Sequence, residues 1–335
     1  MATIYDIAKH VGVSAGTVSR ALSRPDKVLP ATRTRIEQAA AALGYVPNTV
    51  ARTLKTQRSG KILVTVPDIA NPFFAQILQG AEDAAQAVGY AVLLGDTQNL
   101  PEREERYAQM LRRNEADGLI VLGHRLPPTA RDIVEQRGVA APVVNGCEFD
   151  PALGIPSVHI DNAAAARAVM EHLYGLGHEG VAVVGGPPDN PLHTQRLEGV
   201  RAAGRARGRL RHLSVVPGDF SVESGHAAAM ALLAVAPAPT AIFCFSDQMA
   251  LGTLAACRDL GVRVPDDLSI VGFDDLASSR YLTPPLTTIR QPMREIGERA
   301  VNLLLAIIEQ VDVPRQQTLE FSLMVRGSTA APRRS

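Results

Sequence analysis

The first stretch with the residue types for catalysis is the pentapeptide GVSAG at residues 12–16, a match to the G-x-S-x-G nucleophile elbow of serine hydrolases. An elbow needs a strand before its serine, because the strained strand-to-helix turn is what exposes the hydroxyl oxygen. The residues before Ser14 read as a helix, since apolar side chains recur at i, i+3, i+4 and i+7 from Ile4 to Val11. We therefore interpret Ser14 as the N-cap of a second helix.

The elements around Ser14 predict a helix-turn-helix unit. Val18, Ala21 and Leu22 form a second apolar stripe after the turn at Gly12. A third helix is predicted over residues 31–43, with Leu43 on its apolar face and Gly44 as its C-cap. Three short helices of this kind make a DNA-binding headpiece whose second helix enters the major groove.

The distribution of charge supports a DNA-binding head. The formal net charge of the 335-residue chain is zero. Residues 1–61 nevertheless hold ten Lys or Arg against three Asp or Glu, which leaves a surplus of seven positive charges there and seven negative charges in the remainder. All four lysines lie in this first segment. Such asymmetry is typical of a nucleic-acid-binding head on an acidic body.

The predicted recognition helix offers few hydrogen bonds to base edges. Arg20 is the residue expected to read a guanine, while Ser14, Thr17 and Ser19 are expected to contact phosphates. The headpiece residues predicted to contact DNA are Thr3, Tyr5, Ser14, Ala15, Gly16, Thr17, Ser19 and Arg20.

After residue 61 short apolar runs alternate with amphipathic stretches. Seven runs predict buried parallel strands: ILVTV, AVLLG, GLIVLG, PVVNG, VAVVGG, AIFCF and LSIVGF. Helices are predicted over residues 73–88, 102–113, 163–176, 192–207 and 248–260. The alternation indicates an α/β body of two doubly wound, Rossmann-like lobes.

Composition favours a non-catalytic protein of the cytoplasm. The apolar fraction is 46%, no apolar run approaches the eighteen residues of a membrane span, and the N-terminus does not read as a signal peptide. Cys147, Cys244 and Cys257 lie too far apart for a CxxC pair. Because G-x-G-x-x-G, P-loop and metal-ligand patterns are also missing from the sequence, we expect no cofactor, no metal and no enzymatic activity.

Four motifs give the chain a family resemblance. TIYDIAKHVGVSAGTVSRAL, GYVPNTVARTL, SIVGFDD and PLTTIRQP stand in the order in which they occur in the lactose- and purine-repressor family of bacterial transcription regulators, which the chain resembles over essentially its whole length. The resemblance implies a headpiece over residues 1–46 and a hinge over 47–60. It also implies a periplasmic-binding-protein-like body over 61–335, whose two lobes are joined by three crossovers and bind an effector between them.

The hinge expected from this resemblance is a helix over residues 48–56 that forms only on the operator. Leu54 would open a central base step from the minor groove, and Asn48, Ala51 and Lys55 would also contact DNA. Nine residues with several β-branched side chains are too short for a helix that is stable alone in water. An apolar wedge costs roughly a few kcal/mol of unstacking, which further contacts to the bent DNA offset.

Ten residues at predicted strand ends, or at positions matching the family's ligand contacts, are expected to bind the effector. Two of these residues also have a purely structural interpretation, since Asp96 would suit the cap of the next helix and Phe73 the hydrophobic core. The predicted effector-binding residues are Phe73, Phe74, Asp96, Asn145, His193, Arg196, Phe220, Ser246, Asp274 and Gln291.

Within the family the chain is most similar to cytidine-responsive regulators, which implies a nucleoside effector; a sugar-responsive repressor is the alternative. The absence of tryptophan removes one favoured sugar-stacking residue. Two rival classes are a solute-binding protein, which the basic headpiece and the lack of a signal-peptide pattern disfavour, and a nucleoside hydrolase, which the missing catalytic motifs and the scattered histidines disfavour. We expect a homodimer on a pseudo-palindromic operator of double-stranded DNA. A tetramer is not expected, because RGSTAAPRRS at the end has no heptads.

Overall fold

The computed structural model describes residues 2–23, 27–45 and 58–333. It divides into two units, Met1–Arg58 and Ser59–Ser335. The proposed hinge residues Asn48, Ala51, Leu54 and Lys55 lie outside the described residues.

The first unit contains three helices, α1 (Ile4–Val11), α2 (Ala15–Ser23) and α3 (Pro30–Ala42). The residue before α1, Thr3, forms a capping box with Asp6. Ser14 caps α2, since its Oγ accepts the backbone N–H of Thr17 at 3.1 Å. The element before Ser14 is a helix, so the elbow geometry is not met. The buried side chains that hold the three helices together are Ile7, Ala8, Val11, Val18, Ala21, Ile36, Ala39 and Ala40.

The end of α3 corrects one expectation. Leu43 rather than Gly44 is the C-cap, and Gly44 follows it with a left-handed φ of 59°. Leu43 was expected on the buried face but is 37% exposed. The left-handed turn at Gly44 redirects the chain, so that Tyr45 packs against the core in its place.

Two six-stranded sheets form the second unit. The first lobe has the strand order β11-β5-β4-β3-β1-β2, with all pairs parallel. Its strands are β1 (Lys61–Val66), β2 (Ala91–Asp96), β3 (Gly118–Val121), β4 (Val143–Gly146), β5 (Ser157–Ile160) and β11 (Gln316–Leu319).

The second lobe has the order β12-β10-β9-β8-β6-β7, in which only the β10–β12 pair is antiparallel among the described pairs. Its strands are β6 (Val181–Val184), β7 (Leu213–Val216), β8 (Ala241–Cys244), β9 (Ser269–Asp274), β10 (Thr287–Arg290) and β12 (Ser322–Met324).

Helices cover both sheets. The helices of the second unit are α4 (Pro72–Ala87), α5 (Pro101–Arg112), α6 (Pro128–Arg137), α7 (Asn162–Gly175), α8 (Pro191–Ala206), α9 (Val222–Leu233), α10 (Asp247–Leu260) and α11 (Met293–Ile308). Each of the five predicted helices begins one residue earlier than expected. The additional first residue is Pro, Asn or Asp. Pro suits the first turn because it lacks the backbone N–H that would have no partner there, and Asn and Asp suit it because their side chains hydrogen-bond to nearby backbone groups.

The chain crosses between the lobes after Ile160, after Arg290 and after Leu319 within the described second unit. The second crossing returns α11 to the first lobe, where it packs on α4. All seven predicted strands are present, and the two-lobed α/β fold is confirmed. The three cysteines are free and buried. Among the residues that the structure describes, no helix is both long and apolar enough to span a bilayer.

Candidate functional site

A cleft of about 300 Å³ lies between the carboxyl ends of the strands of the two lobes. This is where α/β sheets bind ligands, because side chains after parallel strands converge at one edge. The first lobe contributes Pro67, Asp68, Asn71, Phe73, Phe74, Asn99, His124, Arg125 and Glu148, and the second contributes Pro187, Asp189, Asn190, Leu192, Arg196, Asp219, Phe220, Ser221, Phe245, Ser246 and Asp274.

Arg196 is the buried cation of the cleft, with 2% of its surface exposed. Its Nε donates to Oδ1 of Asn162 at 2.9 Å, and its Nη1 donates to the carbonyl oxygen of Phe245. The guanidinium carbon lies 3.7 Å from the ring centroid of Phe273, a cation–π contact. Burial lowers the pKa of Arg196 to about 10, so the group stays charged at neutral pH and is held rigidly.

Asp274 faces the same cleft at the end of β9. Its backbone has a φ of 128°, a left-handed conformation that L residues rarely adopt. Nε2 of Gln291 donates to Oδ1 of Asp274 at 2.7 Å. Burial raises the pKa of Asp274 to about 8, even though the charge of Arg196 acts in the opposite direction. At neutral pH this carboxyl group can therefore both donate and accept a hydrogen bond.

Four aromatic rings give the cleft flat apolar faces. Phe73 and Phe74 open α4 and meet edge to face, with ring centroids 5.2 Å apart. Phe220 sits in a left-handed turn with a φ of 68°. Phe245 follows β8, and next to it Ser246 caps α10 by accepting the N–H of Met249 at 3.1 Å. Such faces bind planar rings by stacking.

A polar cluster that the sequence interpretation missed joins the two lobes. His124 follows β3 and Glu148 follows β4, while Asn190 is the N-cap of α8 in the second lobe. Oε2 of Glu148 lies 3.0 Å from Nδ1 of His124 and 3.1 Å from Nδ2 of Asn190. The hydrogen bond to Glu148 raises the pKa of His124. The signal in the sequence was the pair of residues just beyond two predicted strands, GLIVLGH and PVVNGCE.

Six of the predicted effector residues line the cleft: Phe73, Phe74, Arg196, Phe220, Ser246 and Asp274. Asp96 and Asn145 lie elsewhere. Asp96 accepts hydrogen bonds from Ile69 N–H and from the Gln98 amide. Asn145 points into the sheet and donates to the carbonyl oxygens of Val121 and Gly123, because it lies within β4 rather than beyond it.

The remaining two predicted residues lie behind the lining. Gln291 reaches the cleft only through its hydrogen bond to Asp274. His193 lines a separate open groove with Arg201 and Arg205, and its ring meets that of Phe245 edge to face. The two residues therefore support cleft residues without lining the cleft themselves.

The charges around the cleft are unbalanced. Five carboxyl groups line it, against two guanidinium groups and one imidazole, although Asp274 adds little negative charge at neutral pH because burial raises its pKa to about 8. Such a lining disfavours a phosphorylated ligand and favours an uncharged one with many N–H or O–H donors. Among the described residues, His, Cys, Asp and Glu side chains nowhere group in threes in a way that could hold a metal ion.

The predicted DNA-contacting residues of the headpiece occupy its surface. Tyr5 is 77% exposed, and Thr3, Ser14, Gly16 and Arg20 are also exposed. Ala15, Thr17 and Ser19 are half-buried. Nε of Arg20 donates to the carbonyl oxygen of Gly16 at 3.2 Å, one turn earlier on α2.

Both units of the chain match known protein families. The model for bacterial regulatory proteins of the lacI family matches residues 3–48, and that for a periplasmic binding protein-like domain matches residues 170–329. The chain is 43% identical over 332 residues to the HTH-type transcriptional repressor CytR of Escherichia coli (strain K12), covering 98% of this chain and 97% of that protein. It is 35% identical to catabolite control protein A of Priestia megaterium, covering 90% and 91% of the two chains.

Solved structures agree with these sequence matches. The Lac repressor dimer bound to operator and the anti-inducer ONPF has a TM-score of 0.87 and 31% identity, covering 98% of this chain and 99% of that one. The complex of the transcriptional regulator CelR with cellobiose has a TM-score of 0.73 and 33% identity, covering 98% and 100%. The chain therefore belongs to the lacI family of bacterial regulatory proteins, and it is a DNA-binding repressor with a ligand-binding domain of the periplasmic type.

Proposed function

We propose that the effector of this repressor is an uncharged nucleoside of the cytidine class. The observation that carries the proposal is the lining of the cleft, which combines aromatic rings with five carboxyl groups and two guanidinium groups. Planar bases stack on aromatic faces, and ribose hydroxyl groups donate to carboxylates. A nucleotide is disfavoured, because its phosphate would face this excess of negative charge. The similarity to CytR supports the same ligand class.

Arg196 and Asp274 would anchor the polar edge of the ligand. Both are almost fully buried and held by neighbours, Arg196 by Asn162 and Asp274 by Gln291. Groups fixed before binding lose little conformational freedom when the ligand arrives, so their hydrogen bonds contribute more to affinity.

The repressor would act as a homodimer on a pseudo-palindromic operator. A dimer with two-fold symmetry presents two headpieces to two half-sites. Effector binding between the lobes would change the operator affinity through the hinge over residues 47–60. By linkage, the operator must change the effector affinity by the same factor. Sedimentation of the free protein and operator titrations with and without cytidine test this arrangement, and a monomer on a single half-site would contradict it.

Thermal unfolding in the presence of single compounds tests the effector class. The panel contains cytidine, uridine, adenosine, cytosine, cytidine monophosphate, ribose and cellobiose. A ligand at a hundred times its Kd stabilises the native state by about 2.7 kcal/mol, which raises the unfolding temperature measurably. We expect a shift with cytidine and none with its monophosphate. A shift with sugars alone would replace the nucleoside by a sugar and leave the repressor function unchanged.

A further inference from the structure

We infer that Glu148 selects the base of the effector by accepting a hydrogen bond from an exocyclic amino group. The inference rests on the proposed nucleoside effector. It assigns to Glu148 the choice between an amino-substituted pyrimidine and its carbonyl counterpart, that is, cytidine over uridine.

The first support is the way in which the carboxylate is held. Its side chain is 7% exposed, and both described hydrogen bonds, from His124 and from Asn190, go to Oε2. Within the described part of the chain, Oε1 has no hydrogen-bond partner in the protein, although Glu148 lines the cleft. One oxygen is therefore anchored and the other is left as an acceptor for the ligand.

The second support is the rigidity of the anchors. His124 follows β3 and is itself a cleft residue, and its hydrogen bond to Glu148 raises the pKa of the imidazole. Oδ1 of Asn190 accepts the N–H of Leu192 at 2.8 Å, so its Nδ2 is directed at Glu148 by the start of α8. Residues of both lobes thus hold the carboxylate in place, and it offers the ligand only a hydrogen-bond acceptor.

The third support is the chemistry of the two bases. Cytosine carries an amino group at the ring position where uracil carries a carbonyl oxygen. The amino group of cytosine donates to a carboxylate oxygen. The carbonyl oxygen of uracil is itself an acceptor, so two acceptors would face each other with no proton between them. A site built around a buried acceptor rejects the analogue that lacks the donor more strongly than an apolar pocket rejects a change of size.

Calorimetric titration of the full-length protein tests the assignment. For the wild type we expect cytidine to bind roughly 100-fold or more tightly than uridine, and the 4-deamino analogue of cytidine to lose about tenfold or more. In Glu148→Gln the neutral amide can donate or accept, so the ratio of cytidine to uridine affinity should fall below about tenfold. Glu198→Gln, an exposed site on α8, is the matched control and should keep the wild-type ratio.

The outcomes separate the inference from the function on which it rests. If neither nucleoside binds the wild type while a sugar does, the proposed nucleoside effector fails. If the wild type binds cytidine and Glu148→Gln retains the full preference over uridine, the nucleoside stands and Glu148 is not the selector. If Glu148→Gln does not fold, the affinity of the wild-type protein for the 4-deamino analogue tests the inference instead. An affinity equal to that of cytidine would overturn the inference, because the analogue lacks the amino group.

Discussion

The ring of Phe220 rests against the backbone of Gly186, so closely that a β carbon at residue 186 would lie 2.1 Å from Cζ of the ring. Gly186 follows β6 and Phe220 follows β7, which are neighbouring strands. The contact leaves Phe220 in its left-handed turn with its ring lining the cleft. The position of one aromatic face of the effector site therefore depends on the missing side chain of a glycine.

Gly186→Ala is expected to weaken effector binding by displacing Phe220. The β carbon would overlap the ring, so Phe220 must leave its position and stacking on its face is lost, a change of roughly tenfold in affinity. Titration of the purified variant with cytidine measures the effect. Gly180→Ala is the matched control, since nothing lies within 4 Å of a β carbon there. Wild-type affinity in Gly186→Ala would show that Phe220 does not contact the ligand.

Arg196→Lys is expected to remove most of the effector response while leaving operator binding unchanged. Lysine keeps the charge but lacks the planar group that binds Asn162 and stacks on Phe273. We expect effector affinity to fall about tenfold or more, measured by calorimetry, with operator affinity measured by fluorescence anisotropy. Arg201→Lys, exposed on the same helix, should behave as wild type. An unchanged effector titration in Arg196→Lys would exclude Arg196 from the site.

The carboxyl group of Asp274 should make the stability of the protein depend on pH. Its pKa is about 8 in the folded state and 3.8 in the unfolded chain. Between these values the folded protein holds a proton that the unfolded chain has lost, so the free energy of unfolding falls as pH rises from roughly 4 to 8. Denaturant unfolding across that range should show a shallower fall in Asp274→Asn. The exposed Asp312→Asn is the control, and the same slope in both variants would contradict the raised pKa.

Leu54→Ala is expected to weaken operator binding and leave effector binding intact. If Leu54 opens the central base step, its truncation removes the wedge that holds the DNA bent, which we expect to cost roughly tenfold or more in operator affinity. Anisotropy titrations with a labelled operator measure it. Leu260→Ala, partly exposed on the second lobe, is the control. Wild-type operator affinity in Leu54→Ala would show that the wedge is assigned to the wrong residue.

Ser14→Ala separates the capping role from the catalytic one. Loss of the hydrogen bond from Thr17 N–H is expected to destabilise the headpiece by about 1 kcal/mol. Ser14→Thr, which keeps a hydroxyl group, should restore most of that stability. Thermal unfolding of the headpiece signal measures both variants. Esterase activity that disappears in Ser14→Ala would revive the nucleophile interpretation.

Much of the fold could be predicted because its signals are local. The apolar runs that became strands and the amphipathic stretches that became helices each bury one face or both, and that requirement is written in nearby residues. Among the strands that were not named in the predicted runs, β7, β11 and β12 are edge strands, where partial exposure weakens the apolar pattern. The other two, β5 and β10, are largely buried but contain polar residues such as His159 and Thr288, which interrupt the apolar run. Each of the five predicted helix starts was wrong by one residue. The backbone N–H groups of the first turn have no partner within the helix, so the exact starting residue is weakly specified.

The candidate site depended on distances that no sequence pattern encodes. Asn145 was chosen as the end of a strand, but the strand continues to Gly146, and Glu148 is the residue that reaches the cleft. Placing the strand end too early therefore selected a side chain inside the sheet, Asn145, instead of one beyond its edge, Glu148.

The amino-acid sequence by itself determined the helix-turn-helix headpiece, the two-lobed body, the family and the identity of Arg196 and Asp274 as cleft residues. Only the tertiary structure decided which oxygen of Glu148 lacks a hydrogen-bond partner among the described residues, that Gln291 acts through Asp274, and that Phe220 depends on Gly186. The reason is physical: periodicity records which faces are buried, whereas a binding site is made by side chains from both lobes whose separation is set only when the whole chain packs.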